Sequence, residues 1–134
     1  MTTAEMFNSH PSETRLDREL LTRTVDALLS CAQACTVCAD ACLSGEEQDA
    51  RMGECIRTDL NCADICATTA RVLSRHTGDN AEVARAQLEA CVQACRSCGD
   101  ECERHADHHE HCRICAEACR TCEQACRDLL ATMP

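Results

Sequence analysis

Residues 112–126 read CRICAEACRTCEQAC, and the five cysteines of this stretch are separated by steps of 3, 4, 3 and 4. Residues three and four positions apart lie on one face of an α-helix, so the spacing predicts a single stripe of thiols along a helix. The residues between them are mostly Arg, Glu, Gln, Thr and Ala, which is typical of a solvated or lightly packed face. Cysteine therefore takes the place that Leu and Ile take in an ordinary helical bundle.

The same pattern recurs along the chain as Cys-x3-Cys-x2-Cys-x3-Cys, at 31–42, 91–102 and 115–126. A fourth segment keeps only Cys62 and Cys66 of the block, preceded by Cys55 and by Asp59 in a stripe position. Four amphipathic segments joined by short turns predict an all-α fold, an antiparallel up-down four-helix bundle with a cysteine-lined core. We expect a flexible N-terminal arm at 1–12 and the bundle at 13–134, with Ser12 as the first N-cap and helices near 13–43, 47–76, 81–105 and 109–132.

The composition limits what fills the core and what the surface can bind. The chain has 134 residues, 16 of them Cys, with one Phe and no Trp or Tyr. A net charge of −10 and the lack of aromatic stacking platforms argue against nucleic acid as a partner. We expect no membrane span, because no apolar run approaches about 18 residues, and no signal peptide. The expected location is the cytosol, where thiols stay reduced.

A disulfide scaffold is the first alternative for a cysteine-rich chain. Helical neighbours at i,i+3 or i,i+4 have Cβ atoms about 5–6 Å apart, whereas a disulfide requires about 3.5–4.5 Å. The chain also has only four Gly and two Pro, too few for the loops of such scaffolds. We therefore expect free thiols.

Soft thiolates favour Cu(I), Zn(II) or iron–sulfur clusters. Each zinc ion bound by four thiolates leaves a charge of −2, which is costly in a closed interior, whereas Cu(I) neutralises one thiolate per ion. The Cys-x2-Cys pairs lie in mid-helix, without the loops of iron–sulfur sites or the βαβ context of thioredoxins. Since no nucleophile and base are paired in the sequence, we expect no enzyme. The candidate metal ligands are all sixteen cysteines: Cys31, Cys35, Cys38, Cys42, Cys55, Cys62, Cys66, Cys91, Cys95, Cys98, Cys102, Cys112, Cys115, Cys119, Cys122 and Cys126.

The two ends of the expected bundle differ in composition. One end is closed by leucines: Leu20, Leu21, Leu73, Leu129 and Leu130. The other carries Met52 and the segment 105–111, which contains four histidines. Imidazole and thioether groups also bind copper, so this end is a candidate metal entry, although a solvated turn with histidines as caps is the alternative.

The repeated blocks on four helices, the turn Asp107-His-His-Glu-His111 and the missing signal peptide resemble the cytosolic copper storage proteins. The resemblance covers residues 14–132. It implies a homotetramer of bundles, each holding many Cu(I) ions, with entry at the His-rich end. A copper chaperone is a candidate partner. By position, the resemblance implies the following non-cysteine ligands: Met52, Asp59, His105, His109 and His111. The alternative function is a general buffer for Zn(II) or Cd(II), or a thiol redox buffer.

Overall fold

The computed structural model describes residues 2–44, 50–78 and 80–134 and contains five α-helices. No β-strand occurs within these three ranges. The cysteine stripes lie on the four long helices, as the spacing predicts, and the fold is all-α. The helices are α1 (Thr2–Ser9), α2 (Arg18–Ser44), α3 (Ala50–Leu73), α4 (Ala81–His105) and α5 (Glu110–Thr132).

The four long helices have 23 to 27 residues each, so each is about 35–40 Å long. α2 packs against α3 and α5, and α4 packs against the same two helices. Every long helix thus has two neighbours, and the four surround a common interior. That interior is lined by the cysteines of all four helices.

The helix ends follow local capping chemistry. α2 begins at Arg18 because the Asp17 carboxylate accepts a hydrogen bond from the amide of Leu20 at 2.8 Å. The predicted start near 13, with Ser12 as N-cap, is therefore wrong. α3 ends at Leu73, three residues before the predicted end, and its predicted start at 47 lies outside the described residues.

The N-terminal segment differs most from the prediction. We expected a flexible arm over residues 1–12, but Thr2–Ser9 form the helix α1, which packs on α2. Its Phe7 is 5% exposed, and the Phe7 ring lies 4.6 Å from the ring of His76, just beyond the end of α3. A single buried side chain on an eight-residue helix leaves no periodicity in the sequence, which is why the pattern did not indicate it.

α2 is long and apolar enough, by length and composition, to cross a bilayer. The prediction that no segment reaches this threshold is therefore wrong, because Ala and Cys count as apolar residues in such a measure. One helix of this kind is weak evidence for a membrane span, since a core helix of a soluble protein meets the same criterion. α2 buries its cysteine stripe against the neighbouring helices.

The outer contact between α4 and α5 is ionic. Arg120 of α5 donates to Asp100 at 2.7 Å and to Glu103 at 3.0 Å. The guanidinium crosses α4 directly over Gly99, where a Cβ atom would lie 2.9 Å from Arg120 Nη1. Glycine at this position leaves room for the Arg120 guanidinium on the surface of α4.

Candidate metal centre

All sixteen cysteines are free thiols, and each is at most 3% exposed. Their i,i+4 spacing places two sulfur atoms of one helix one turn apart, both directed into the interior. Neighbouring sulfur atoms lie 3.6 to 4.0 Å apart, as between Cys66 and Cys91 at 3.6 Å and between Cys98 and Cys102 at 4.0 Å. These distances exceed the S–S bond length of about 2.05 Å. The prediction of free thiols is confirmed.

The thiols form overlapping groups of four rather than separate sites. In each group below, the ligand atoms lie within 4.8 Å of one another. Cys31 and Cys62 belong to two of the groups, and Cys66 and Cys95 also belong to two. Because these groups share members, they join ten of the sulfur atoms, and we call the sixteen buried cysteines together the thiol column. Four of its groups are Cys31/Cys35/Cys62/Cys119, Cys31/Cys62/Cys66/Cys95, Cys35/Cys98/Cys115/Cys119 and Cys66/Cys91/Cys95/Cys122.

Asp59 lies inside the thiol column and is fully buried. Its Oδ1 atom is 3.0 Å from the sulfur of Cys98 and 3.4 Å from the sulfurs of Cys102 and Cys115. Burial raises the pKa of Asp59 to about 8. The carboxyl group is therefore largely protonated at neutral pH, which reduces the cost of placing it among neutral thiols. The structure brings Asp59 to the place that its stripe position predicts.

His111 contacts the thiol column directly. Its Nδ1 atom lies 3.3 Å from the sulfur of Cys38 and 3.6 Å from that of Cys112. These three residues and Cys42 form another group whose ligand atoms lie within 4.8 Å of one another. Burial, followed by the nearby charge of His109, lowers the pKa of His111. A lowered pKa favours the neutral imidazole, the form that binds metal ions.

The other predicted residues of this end lie beside His111 or within one helical turn of a cysteine. The ring of His109 is 5.3 Å from that of His111, and His105 is half-buried at the end of α4. Met52 is 6% exposed and lies one turn before Cys55 on α3. His108, by contrast, is exposed. We call the half-buried residues His105, His109 and His111 the histidine mouth.

The sequence pattern does not indicate one buried charged residue of this end, Glu101. Glu101 is 6% exposed, and its two carboxylate oxygens contact different partners. Oε2 accepts from Arg104 at 2.6 Å, and Oε1 lies 3.2 Å from Nε2 of His105. The i,i+4 spacing of Glu101 and His105 could have indicated the pair. Glutamate is so common on solvated helix faces that the spacing alone did not distinguish it.

Aliphatic side chains close the opposite end. Leu21, Leu28, Leu88 and Leu129 have no exposed surface, and Leu73 is 4% exposed. Two of the predicted closing residues, Leu20 and Leu130, are only half-buried and pack against this group from outside. We call this end the leucine plug.

The thiols suit an interior that is neutral when empty. Burial raises the pKa of the Cys42 thiol to about 11, at the edge of the thiol column. Protonated cysteine behaves as a small apolar residue, so the helices can pack around it without a metal ion. Deprotonation supplies a soft thiolate ligand, which prefers soft metal ions.

Comparison with known proteins assigns the family. The family model of the copper storage proteins matches residues 17–131. Several solved structures are similar, among them the following three. Ccsp from Streptomyces lividans, loaded with 10 copper equivalents, has a TM-score of 0.93 and 56% identity, over 96% of this chain and 98% of that chain. A form of the cytosolic S. lividans protein with five coppers has a TM-score of 0.84 and 60% identity, over 87% and 96%. The Cu(I)-bound copper storage protein BsCsp3 has a TM-score of 0.71 and 34% identity, over 80% and 94%.

The resemblance stated from the cysteine blocks is thus confirmed by the family match and by the structural similarity. The matched region contains α2, α3 and α4, all of α5 except its last residue, and every cysteine of the thiol column. The chain belongs to the copper storage protein family.

Proposed function

We propose that this chain stores Cu(I), with the sixteen cysteine thiolates as ligands. The observation that carries the proposal is the thiol column, sixteen buried free thiols, most of which have a neighbouring sulfur atom 3.6 to 4.0 Å away. A protein that needed one structural metal ion would require about four such ligands. Sixteen ligands in overlapping groups suit many ions that share sulfur atoms.

Charge favours Cu(I) over a divalent ion in this interior. Every sulfur of the thiol column is buried, and Asp59 is the buried carboxylate among them. Since each Cu(I) ion replaces one thiol proton, loading can proceed without a growing buried charge. The copper content of the related S. lividans and BsCsp3 structures supports the same metal.

The arrangement of ligands supports entry at the histidine mouth. His105, His109 and His111, together with Met52 and Asp59, would be the non-cysteine ligands on the path inward. His111 reaches the first thiols, because its Nδ1 atom lies 3.3 Å from Cys38. At the leucine plug, buried aliphatic side chains offer no ligand to an ion.

The expected topology is an antiparallel up-down four-helix bundle over residues 13–134, with α1 as an addition. The sulfur contacts support opposite directions for neighbouring helices. Cys62 of α3 lies 3.9 Å from Cys95 of α4, and Cys66 lies 3.7 Å from the same Cys95 and 3.6 Å from Cys91. The residue numbers thus increase along α3 where they decrease along α4.

The remaining features of the proposal rest on the relatives and on composition. We infer a cytosolic location from the description of the S. lividans relative. The family resemblance supports a homotetramer, and we propose a copper chaperone as delivery partner. We propose no catalytic activity, nucleic-acid partner or membrane partner, since the function we propose for the buried thiols is metal binding.

Anaerobic titration of the reduced, metal-free protein with Cu(I), against a strong competing chelator, tests the proposal. Sixteen cysteines used four per ion hold only about four ions. A Cu(I) store is therefore expected to take up well beyond about four equivalents per chain before the chelator retains any. A parallel Zn(II) titration is the control. Equal retention of both metals, or saturation at four equivalents, would favour the general soft-metal or thiol redox buffer instead.

A further inference from the structure

Glu101 is a buried carboxylate beside His105 of the histidine mouth, and it is not among the predicted metal ligands. Its side chain is 7% exposed, whereas Glu103, two residues further along the same helix, is 56% exposed. Burying a carboxylate costs free energy unless it is paired and hydrogen-bonded. Glu101 meets this condition with Arg104 on one oxygen and His105 on the other. Its contacts therefore hold these two side chains in place.

The hydrogen bond to His105 determines which ring nitrogen is free. A carboxylate has no proton to donate, and the Arg104 guanidinium already donates to its second oxygen. The proton of the 3.2 Å contact must therefore belong to Nε2 of His105. In the neutral ring, Nδ1 then keeps its lone pair and is the nitrogen available to a metal ion.

The backbone of His105 also organises the turn that follows α4. Its carbonyl oxygen accepts hydrogen bonds from the amides of His108 at 3.1 Å and His109 at 3.0 Å. His105 lies one helical turn beyond Cys102, the last sulfur of α4. A fixed His105 thus connects the end of the thiol column to the turn that carries the rest of the histidine mouth.

We propose that Glu101 is a positioning residue for copper transfer, which fixes the orientation and the Nε2–H tautomer of His105 at the histidine mouth. Carboxylates that accept from the second nitrogen of a metal-binding histidine are common in proteins and raise the basicity of the ligand. The inference deepens the proposed function and rests on it. It assigns Glu101 an effect on the rate of copper exchange and none on the number of ions stored.

Stopped-flow uptake of Cu(I) tests the rate. We expect Glu101→Ala to slow uptake about tenfold, the lower range for loss of such a partner, while the capacity stays unchanged. Glu101→Gln retains an acceptor oxygen and is expected to restore most of the rate. Glu103→Ala is the matched control, since Glu103 contacts Arg120 on the outer surface. A Glu101→Gln variant as slow as Glu101→Ala would contradict the proposal.

A double-mutant cycle separates positioning from a structural effect. If Glu101 acts through His105, Glu101→Ala has no further effect on uptake in a His105→Ala background. An equal slowing in both backgrounds would overturn the proposal. Wild-type protein that fails to exceed about four copper equivalents would instead contradict the proposed function itself.

The ring nitrogens of His105 give a readout that needs no copper. Nitrogen-15 chemical shifts of the metal-free protein at neutral pH are expected to show the Nε2–H tautomer in the wild type and a mixture in Glu101→Ala. An Nδ1–H tautomer in the wild type would overturn the proposal, even if Glu101→Ala did not fold.

Discussion

The histidine mouth and the leucine plug are opposite ends of one thiol column, closed by different chemistry. At the plug, Leu21, Leu28 and Leu129 have no exposed surface, so that end is held by hydrophobic packing. At the mouth, half-buried histidines and the Glu101 pair provide imidazole groups and hydrogen bonds. We infer that stability depends mainly on the leucine plug, and we propose that metal is exchanged at the histidine mouth. The four changes below test that division.

Leu129→Ala is expected to have the largest effect. The side chain is fully buried in the leucine plug, so its truncation should lower the free energy of unfolding by about 2–5 kcal/mol. Leu130→Ala, a half-buried neighbour, is the matched control and should cost much less. Urea unfolding of the reduced, metal-free protein followed by circular dichroism measures both. The apolar cavity should remain dry, so copper uptake should not become faster. Faster copper uptake by Leu129→Ala would contradict the proposal that metal is exchanged at the histidine mouth and not at the leucine plug.

Phe7→Ala tests whether α1 belongs to the plug end. Burial of this side chain contributes at most about 1.5–3 kcal/mol, and its loss should release α1 before the long helices unfold. Amide hydrogen exchange is the measurement, with loss of protection expected in residues 2–9. Met6→Ala is the control, because Met6 is 62% exposed. Equal protection in Phe7→Ala and the wild type would show that the packing of Phe7 does not hold the helix.

Replacing His105, His109 and His111 together by Ala should affect exchange alone. We expect uptake and release to slow about 10- to 100-fold, more than in Glu101→Ala, which corresponds to about 1.4–2.7 kcal/mol in the barrier. Capacity should barely change, because nearly all ligands are cysteines. His108→Ala is the control, since His108 is exposed. Stopped-flow loading decides the matter, and unchanged rates would mean that the histidines form only a solvated turn.

The smallest expected effect concerns pH at the plug end. Burial, reinforced by the charges of His10 and Arg18, lowers the pKa of His76 beside Phe7. The unfolded value is about 6.5, so below it the unfolded chain binds more protons than the folded one. The contribution of neutral His76 to stability is therefore present above about pH 6.5. It is lost as the pH falls through the lower pKa that His76 has in the folded protein.

Proton NMR titration of His76 checks this sign, together with amide exchange in α1 at pH 5 and pH 7. His76→Gln should remove the pH dependence of α1 protection. A folded pKa at or above 6.5 would contradict the expectation.

The part of the molecule that sequence predicts well is the periodic part. Steps of three and four place Cys91, Cys95, Cys98 and Cys102 on one face, and the structure buries all four. The substitution of Asp59 into a stripe of thiols was visible for the same reason. Repetition over four helices averages out local exceptions, which makes the interior predictable from spacing alone.

The features that sequence did not predict depend on single contacts. The buried Phe7 contacts the ring of His76, a residue distant in the chain, and the local sequence does not indicate this contact. Asp17 takes the capping role expected of Ser12, because several polar residues in this segment can cap a helix. Glu101 is buried between its two partners, whereas Glu103, a glutamate two residues further along the same helix, remains exposed.

The crowding of sulfur atoms around Cys66 has a consequence for chemical damage. Its sulfur lies within 4.0 Å of the sulfurs of Cys62, Cys91, Cys95 and Cys122. If any one of these four cysteines is oxidised or lost, Cys66 still has three neighbouring sulfur atoms. A zinc site with four ligands has no such reserve, because the loss of one ligand opens its coordination shell. Redundancy of this kind lets the interior lose capacity gradually, so that a partly damaged chain still retains most of its load.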